Sequence, residues 1–276
     1  MKDSLKDRLR LVRNASESAI SRVSHLPPRR IRKGISPLWF DFADTGEDQL
    51  QFLVELCGLQ PSHRVLDIGC GVGRLALPLS GYLNDKGAYE GFDVLDHMVD
   101  WCKQNIGSRH PNFQFRTAAV ASTTGSTFPE QTAADYRFPY EDNSFDLAYA
   151  GSLFTHLTPA GTENYLAEVL RTLRPGGVLV ATFNLYNAES HQRFPGRRLE
   201  EIWPHDHGAY RLKEEDSPES SVAYDEIYLR KAYEKVGLTI LEPFRPDASY
   251  SAIRAPKHGN GAPHLWYTTC VIAVPA

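Results

Sequence analysis

The sequence predicts an α/β fold: a doubly wound, mainly parallel sheet with helices on both faces. Three observations lead there. Strand-like and helix-like segments alternate between residues 64 and 183. The stretch VLDIGCGVGR, residues 65–74, passes from an apolar strand through alternate glycines into a helix-compatible segment. At 276 residues, with ordinary hydrophobic and charged contents, the chain can bury one large core and carry appendages.

The elements follow in order. Residues 3–24 show loose helical periodicity through Leu5, Leu9, Val12, Ala19, Ile20 and Val23, and Pro27-Pro28 ends it. Residues 34–43 are aromatic and turn-like. A helix is expected from Asp44 or Thr45 to Cys57, with Leu50, Leu53 and Val54 on one face and Gly58 as its cap. Strand Arg64–Ile68 leads into Gly69, Gly71 and Gly73, and a helix then runs to about Leu83. Ala88–Asp93 is a strand, Leu95–Ile106 a helix and Asn112–Ala118 a third strand. Residues 121–137 form a polar loop, long enough to suspect a functional role. Ser144–Ala150 is a strand, Pro159–Leu173 a helix closed by a Pro-Gly-Gly turn, and Val178–Phe183 a strand. Residues 185–222 break the alternation and read as an insertion of lid type. Val222–Val236 reads as a helix, Leu238–Leu241 and Tyr267–Val274 as strands, with a loop-rich segment at 243–264. The domain organisation is therefore a basic arm, 1–33, and one domain, 34–276.

Charge is unevenly spread. Residues 1–33 hold ten Lys or Arg against three acids, +7, in a chain of net charge −4, so the remainder carries −11. A body that acidic does not suit phosphate neutralisation, so no nucleic-acid partner is expected. The basic arm could rest on an anionic membrane surface, dock on an acidic partner, or be a loosely packed tail. Its opening residues are charged where a secretion signal is apolar, and the cysteines Cys57, Cys70, Cys102 and Cys270 form no CxxC pair. A cytoplasmic location, with possible peripheral membrane contact, is the expectation.

The glycine loop admits two readings. A dinucleotide fold wants GxGxxG with a small sixth residue, whereas here the third glycine comes one place early and Arg74 holds the sixth. Asp93 ends the second strand 22 residues after Gly71, where a carboxylate can accept from both ribose hydroxyls of NAD or of S-adenosylmethionine (SAM). Two later stretches favour SAM: FPYEDNSFDLAYAGSLFTHL, residues 138–157, and LRPGGVLVATF, residues 173–183.

With VLDIGCGVGR and GFDV, these stretches resemble the class I SAM-dependent methyltransferases in four consecutive motifs, strongly over residues 50–184 and in outline over 222–274. The resemblance implies a Rossmann-like sheet of seven strands with a final antiparallel pair, and SAM as cofactor with S-adenosylhomocysteine as product. Carried over by position, Asp67, Gly69, Cys70 and Gly71 shape the pocket for the methionine part. Asp93 binds the ribose, Val94 and Met98 line the adenine, and Gly151 and Ser152 pass near the sulfonium. The family's acid near the end of the third strand is missing at Thr117-Ala118-Ala119-Val120. Backbone groups or Asp135 would then serve the adenine amino group.

Methyl transfer to a hydroxyl or amine needs a positioned base, most often His. His156, just past the fourth strand, is the candidate, with a packing or capping role as its alternative. The insertion adds Tyr186, His191, His205 and His207 as further candidates, beside Asn184, Trp203, Asp206 and Tyr210. WPHDHGAY invites a metal reading, but two histidines without a third fixed ligand are weak grounds, so no metal is expected. Trp39-Phe40 and Trp266-Tyr267 could line a pocket. The expected function is transfer of a methyl group to a small-molecule or glycan acceptor, at oxygen. The alternatives are a SAM-binding docking module without turnover and N-methylation of a small molecule or protein.

Overall fold

The computed structural model describes residues 26–32, 42–121, 131–187, 198–246 and 268–276. The basic arm up to residue 25, Trp39-Phe40, His191, Trp266-Tyr267 and most of 243–264 lie outside the described residues. The chain divides into two compact units, residues 1–118 with 145–147, and residues 119–144 with 148–276.

The first unit opens its main body with helix α1, Phe42–Leu56. Leu50, Leu53 and Val54 are buried as expected, and the helix begins two residues before Asp44, with Phe42 buried as well. The helix closes at Gly58, whose φ of +68° lets the Leu59 N–H reach the Leu53 carbonyl at 3.1 Å. Then follow β1 Arg64–Ile68, α2 Ala76–Tyr82, β2 Ala88–Asp93, α3 Asp96–Cys102 with a π-helical continuation over Lys103–Gly107, and β3 Phe113–Thr117. β1 pairs in parallel with β2, and β2 with β3, Asp67 lying opposite Gly91 and Asp93 opposite Thr117. Val65, Leu66 and Ile68 are fully buried, as a parallel strand covered on both faces requires. Each such side chain contributes roughly 1.5–3 kcal/mol by leaving water. The opening residues of β4, Phe145–Ala150, join this unit through Asp146, whose Oδ2 accepts from the Arg64 N–H at 2.7 Å.

The second unit takes over at the end of β4. A 3₁₀ turn, Phe154–His156, precedes α4 Pro159–Thr172 and β5 Leu173–Tyr186. β5 is longer than expected: strand geometry starts at Leu173 and runs through Pro175-Gly176-Gly177 rather than after it. The stretch read as an insertion holds α5 Leu199–Ile202 and the short strands β6 His205–Asp206 and β7 Tyr210–Leu212. β8 Val222–Asp225 comes next, then α6 Glu226–Val236, β9 Leu238–Pro246 and β10 Thr268–Pro275. The helix expected from Val222 begins only at Glu226. Asp225 caps it, accepting from the Tyr228 N–H, and Val222 to Tyr224 extend beside β5 and β7 instead. β8 is parallel to β5, while β10 is antiparallel to both β5 and β9. All seven expected strands form, including the final antiparallel pair, and β6, β7 and β8 are additional.

Phe154, Phe183, Tyr224 and Tyr233 build the second unit's aromatic core. Phe154 stacks on Phe183 at 4.7 Å, and both tyrosines meet Phe183 edge-on at 6.1 Å. No helix among the described residues is long and apolar enough to cross a membrane.

Candidate functional site

In the first unit the glycine loop and the end of β2 form one hydrogen-bonded cradle. Gly69, Gly71 and Gly73 all have positive φ, +75°, +52° and +77°, so the alternate glycines of the sequence mark alternate left-handed residues. The N–H groups of Gly69 and Cys70 both donate to the Phe92 carbonyl, at 2.9 and 3.0 Å. The Gly71 N–H donates to Asp93 Oδ2 at 2.8 Å, and the Leu95 N–H to Asp93 Oδ1 at 3.0 Å. The carboxylate thus takes backbone N–H groups on both oxygens, with Val94 adding to Gly71 and Leu95, and offers what remains of its lone pairs to ligand hydroxyls. Burial raises its carboxyl, and the hydrogen bonds from Leu95 and Gly71 pull it back.

Asp67 lies at the bottom of this cradle, 3% exposed. Its Oδ2 accepts from the Tyr89 hydroxyl at 2.6 Å. Tyr89, Gly91 and Asp93 share one face of β2 by the two-residue period of a strand. Gly91 makes room for this arrangement: a Cβ there would stand 2.8 Å from the Tyr89 hydroxyl. Tyr89 is the residue that motif reasoning missed, although its place four before Asp93 on a strand puts it on the same face. Burial lifts the Asp67 carboxyl from 3.8 to about 7, against the opposing effects of the Tyr89 hydrogen bond and the Arg74 charge.

The unfolded chain would lose this proton near 3.8, the folded chain near 7. The group's contribution to stability is therefore full below 3.8 and disappears as pH rises to about 7. The loss is on the order of a few kcal/mol, since each tenfold difference in proton affinity between the two states corresponds to about 1.4 kcal/mol. Replacing Asp67 with Asn should flatten the fall in melting temperature between pH 5 and 7, which thermal unfolding in a buffer series measures.

Cys70 and Cys102 floor the loop. Both thiols point to the Gly71 carbonyl, at 3.7 and 3.6 Å, and burial pushes both up, away from the thiolate. They support the loop's shape and have no nucleophilic character. Met98 is buried, whereas Val94 is half-buried at the rim. Gly73 is closely hemmed in, since a Cβ would come within 2.7 Å of Ile106 Cδ1 and 3.1 Å of Cys102 Sγ. With the left-handed backbone, Gly73→Ala should cost roughly 2–4 kcal/mol, lowering the melting temperature by about 5–15 °C in a calorimetric scan.

The second unit carries the remaining candidates. Ser152, past the end of β4, has φ +60°, a conformation uncommon outside glycine. Its N–H donates to Thr182 Oγ1 at 2.6 Å, and its carbonyl accepts from Thr155 Oγ1 at 2.8 Å. Gly151 beside it leaves space for Tyr149, whose hydroxyl would lie 2.5 Å from a Cβ. Asp135 is exposed, and its Oδ2 accepts from Thr132 Oγ1 at 2.7 Å within a local turn.

His156 is exposed and anchored. Its Nδ1 lies 2.8 Å from the carbonyl oxygen of Glu219, in the Pro218–Ser220 turn. A carbonyl can only accept, so Nδ1 carries a proton and donates to it, and Nε2 is the ring nitrogen this contact leaves over. Glu219 supplies a backbone atom, which no side-chain motif could reveal.

The insertion histidines meet a carboxylate. His205 Nδ1 and His207 Nε2 each lie 3.3 Å from Glu215 Oε2, and His207 stacks on Tyr210. Among the described residues no group of three His, Cys, Asp or Glu is arranged to hold a metal ion. The Tyr186 hydroxyl donates to the Gly208 carbonyl at 3.0 Å. Burial, with the charges of Asp225 and Asp206, pushes it up to about 12, away from proton transfer near neutral pH. Trp203 is buried, its indole N–H donating to Ser221 Oγ at 2.9 Å.

Comparison with known proteins agrees with this frame. The methyltransferase-domain family matches residues 65–177. The sterol 24-C-methyltransferase of Schizosaccharomyces pombe is 28% identical over half of this chain and 32% of its own length. The ubiquinone/menaquinone biosynthesis C-methyltransferase of Saccharophagus degradans is 30% identical over 47% of this chain and 46% of its own. The chain thus spans less than half the length of these curated relatives. Among solved structures, a SAM-dependent methyltransferase from Aquifex aeolicus superposes with TM-score 0.51 and 18% identity, covering 91% of this chain and all of that one. That likeness is one of fold.

Proposed function

We propose, from the premise that the chain belongs through residues 65–177 to the class I, Rossmann-like, SAM-dependent methyltransferases, that it methylates a hydroxyl of a small-molecule or glycan acceptor. The observation that carries the hydroxyl assignment is the anchoring of His156 through Nδ1 to the Glu219 carbonyl, which leaves Nε2 as the ring nitrogen for proton transfer. The cradle fits the cofactor. Asp93 has lone pairs left for ribose hydroxyls, Gly69 and Gly71 present backbone without side chains, and Asp67 lies beneath the loop, held by Tyr89.

When bound, SAM supplies an activated methyl group, so the chain's own work is holding, aligning and deprotonating. The acceptor oxygen must lie about 3–3.5 Å from the methyl carbon and in line. Within the first unit, Asp93 and the glycine loop are the groups that hold the donor; within the second, Ser152 and Thr182 fix the turn that carries His156, whose Nε2 is the proposed proton acceptor.

A second reading, methylation at carbon, is favoured by the names of the two curated relatives above, both C-methyltransferases. One experiment separates the readings. Incubation of the full chain with ¹³C-methyl SAM and a metabolite extract should yield a methoxyl resonance in the product spectrum. A C-methyl resonance would establish the second reading. Saturable binding of S-adenosylhomocysteine with no methylated product would favour a docking module.

A further inference from the structure

The second unit has a cavity of about 160 Å³ lined by Leu185, Tyr186, Asn187, Glu226, Arg230, Phe244 and Thr269. That is close to the roughly 150 Å³ that accommodates one benzene ring. It opens at the carboxyl ends of β5 and β8, the edge where parallel sheets of this kind receive ligands. Its wall is tied together. Glu226 Oε1 accepts from Arg230 Nε and Nη2 at 3.0 and 2.9 Å, and Oε2 accepts from Asn187 Nδ2 at 2.8 Å. Arg230 Nη1 donates to Glu242, and the guanidinium lies 4.0 Å from the centre of the Phe244 ring.

The chemistry of this wall discriminates between ligands. Arg230 is already paired with Glu226 in this wall and with Glu242 beyond it, so its charge is not left over for an anion. A sterol or quinone ring would displace water from Glu226, Asn187 and Thr269 without replacing their hydrogen bonds. Hydroxyl groups both donate and accept, which matches an amide, a carboxylate and a threonine hydroxyl set beside one another. Tyr186 and Phe244 supply the apolar surface that the C–H face of a hydroxylated ring prefers.

We infer that this cavity binds one edge of a neutral, polyhydroxylated ring, of which a pyranose is the type.

Saturation-transfer NMR and calorimetry on the full chain test it, with methyl β-glucopyranoside, methyl β-galactopyranoside and myo-inositol as probes and menadiol as the apolar comparison. S-adenosylhomocysteine affinity is measured alongside. At least one hydroxylated ring should bind saturably and menadiol should not. Thr269→Val and Asn187→Ala should each weaken that binding about tenfold, with S-adenosylhomocysteine affinity and melting temperature close to the parent's. Binding of menadiol alone, of no probe, or equal binding of the ring by parent and variants overturns the inference. Loss of the donor reading would show separately, as absence of S-adenosylhomocysteine binding in the parent chain.

Discussion

Replacing Asp93 with Ala should weaken S-adenosylhomocysteine binding at least about a hundredfold, by calorimetry at neutral pH. The carboxylate does two things at once. Its hydrogen bonds to the Gly71 and Leu95 N–H groups join the glycine loop to the start of α3. Its remaining lone pairs are what the family resemblance assigns to the ribose hydroxyls. Hydrogen bonds to a charged acceptor contribute roughly 1.5–3 kcal/mol each, and two lost ribose contacts account for the hundredfold. Loosening of the Gly71 peptide adds to this, because its left-handed conformation is then held by fewer bonds. Asp93→Asn separates the two roles. The amide retains one acceptor oxygen but presents Nδ2–H₂ to a backbone N–H, so the variant should lose stability while retaining part of the binding. An Asp93→Ala protein that bound S-adenosylhomocysteine as tightly as the parent would remove the cofactor site from this loop.

What the sequence made legible follows the reach of each interaction. β1 and β2 appear at their expected bounds, and β4 within one residue, because their signals are local: an apolar run, a breaker on either side, and burial on both faces. The loop was legible because left-handed backbone at alternate residues demands glycine at alternate residues. β8 was not. Val222-Ala223-Tyr224 carries no signal stronger than the helical pattern that follows, and its strand form depends on Asn184 and Arg211, which lie 39 and 12 residues away from Ala223. The same distance limit applies at the site. Asp67 and Asp93 stand inside a motif. Tyr89 needs the strand period, Thr182 needs the neighbouring strand, and Glu219 acts through a carbonyl that every residue possesses.

His156→Asn should lower kcat by about 10²–10⁴, the usual contribution of a positioned general base, while S-adenosylhomocysteine affinity stays near the parent value. The choice of replacement decides what is tested. Asparagine places an N–H₂ group where Nδ1 stood, so it can still donate to the Glu219 carbonyl and keep the turn docked. What it removes is Nε2. His156→Gln does the reverse, keeping a polar atom near Nε2 and giving up the anchor. If His156 only holds the Pro218–Ser220 turn in place, Asn should behave like the parent and Gln should lose stability. If Nε2 takes the acceptor's proton, Asn should lose kcat while its stability and S-adenosylhomocysteine affinity stay near the parent's. Methyl transfer to carbon from an acceptor that needs no prior deprotonation would leave both variants active, and the hydroxyl assignment would then give way to the second reading.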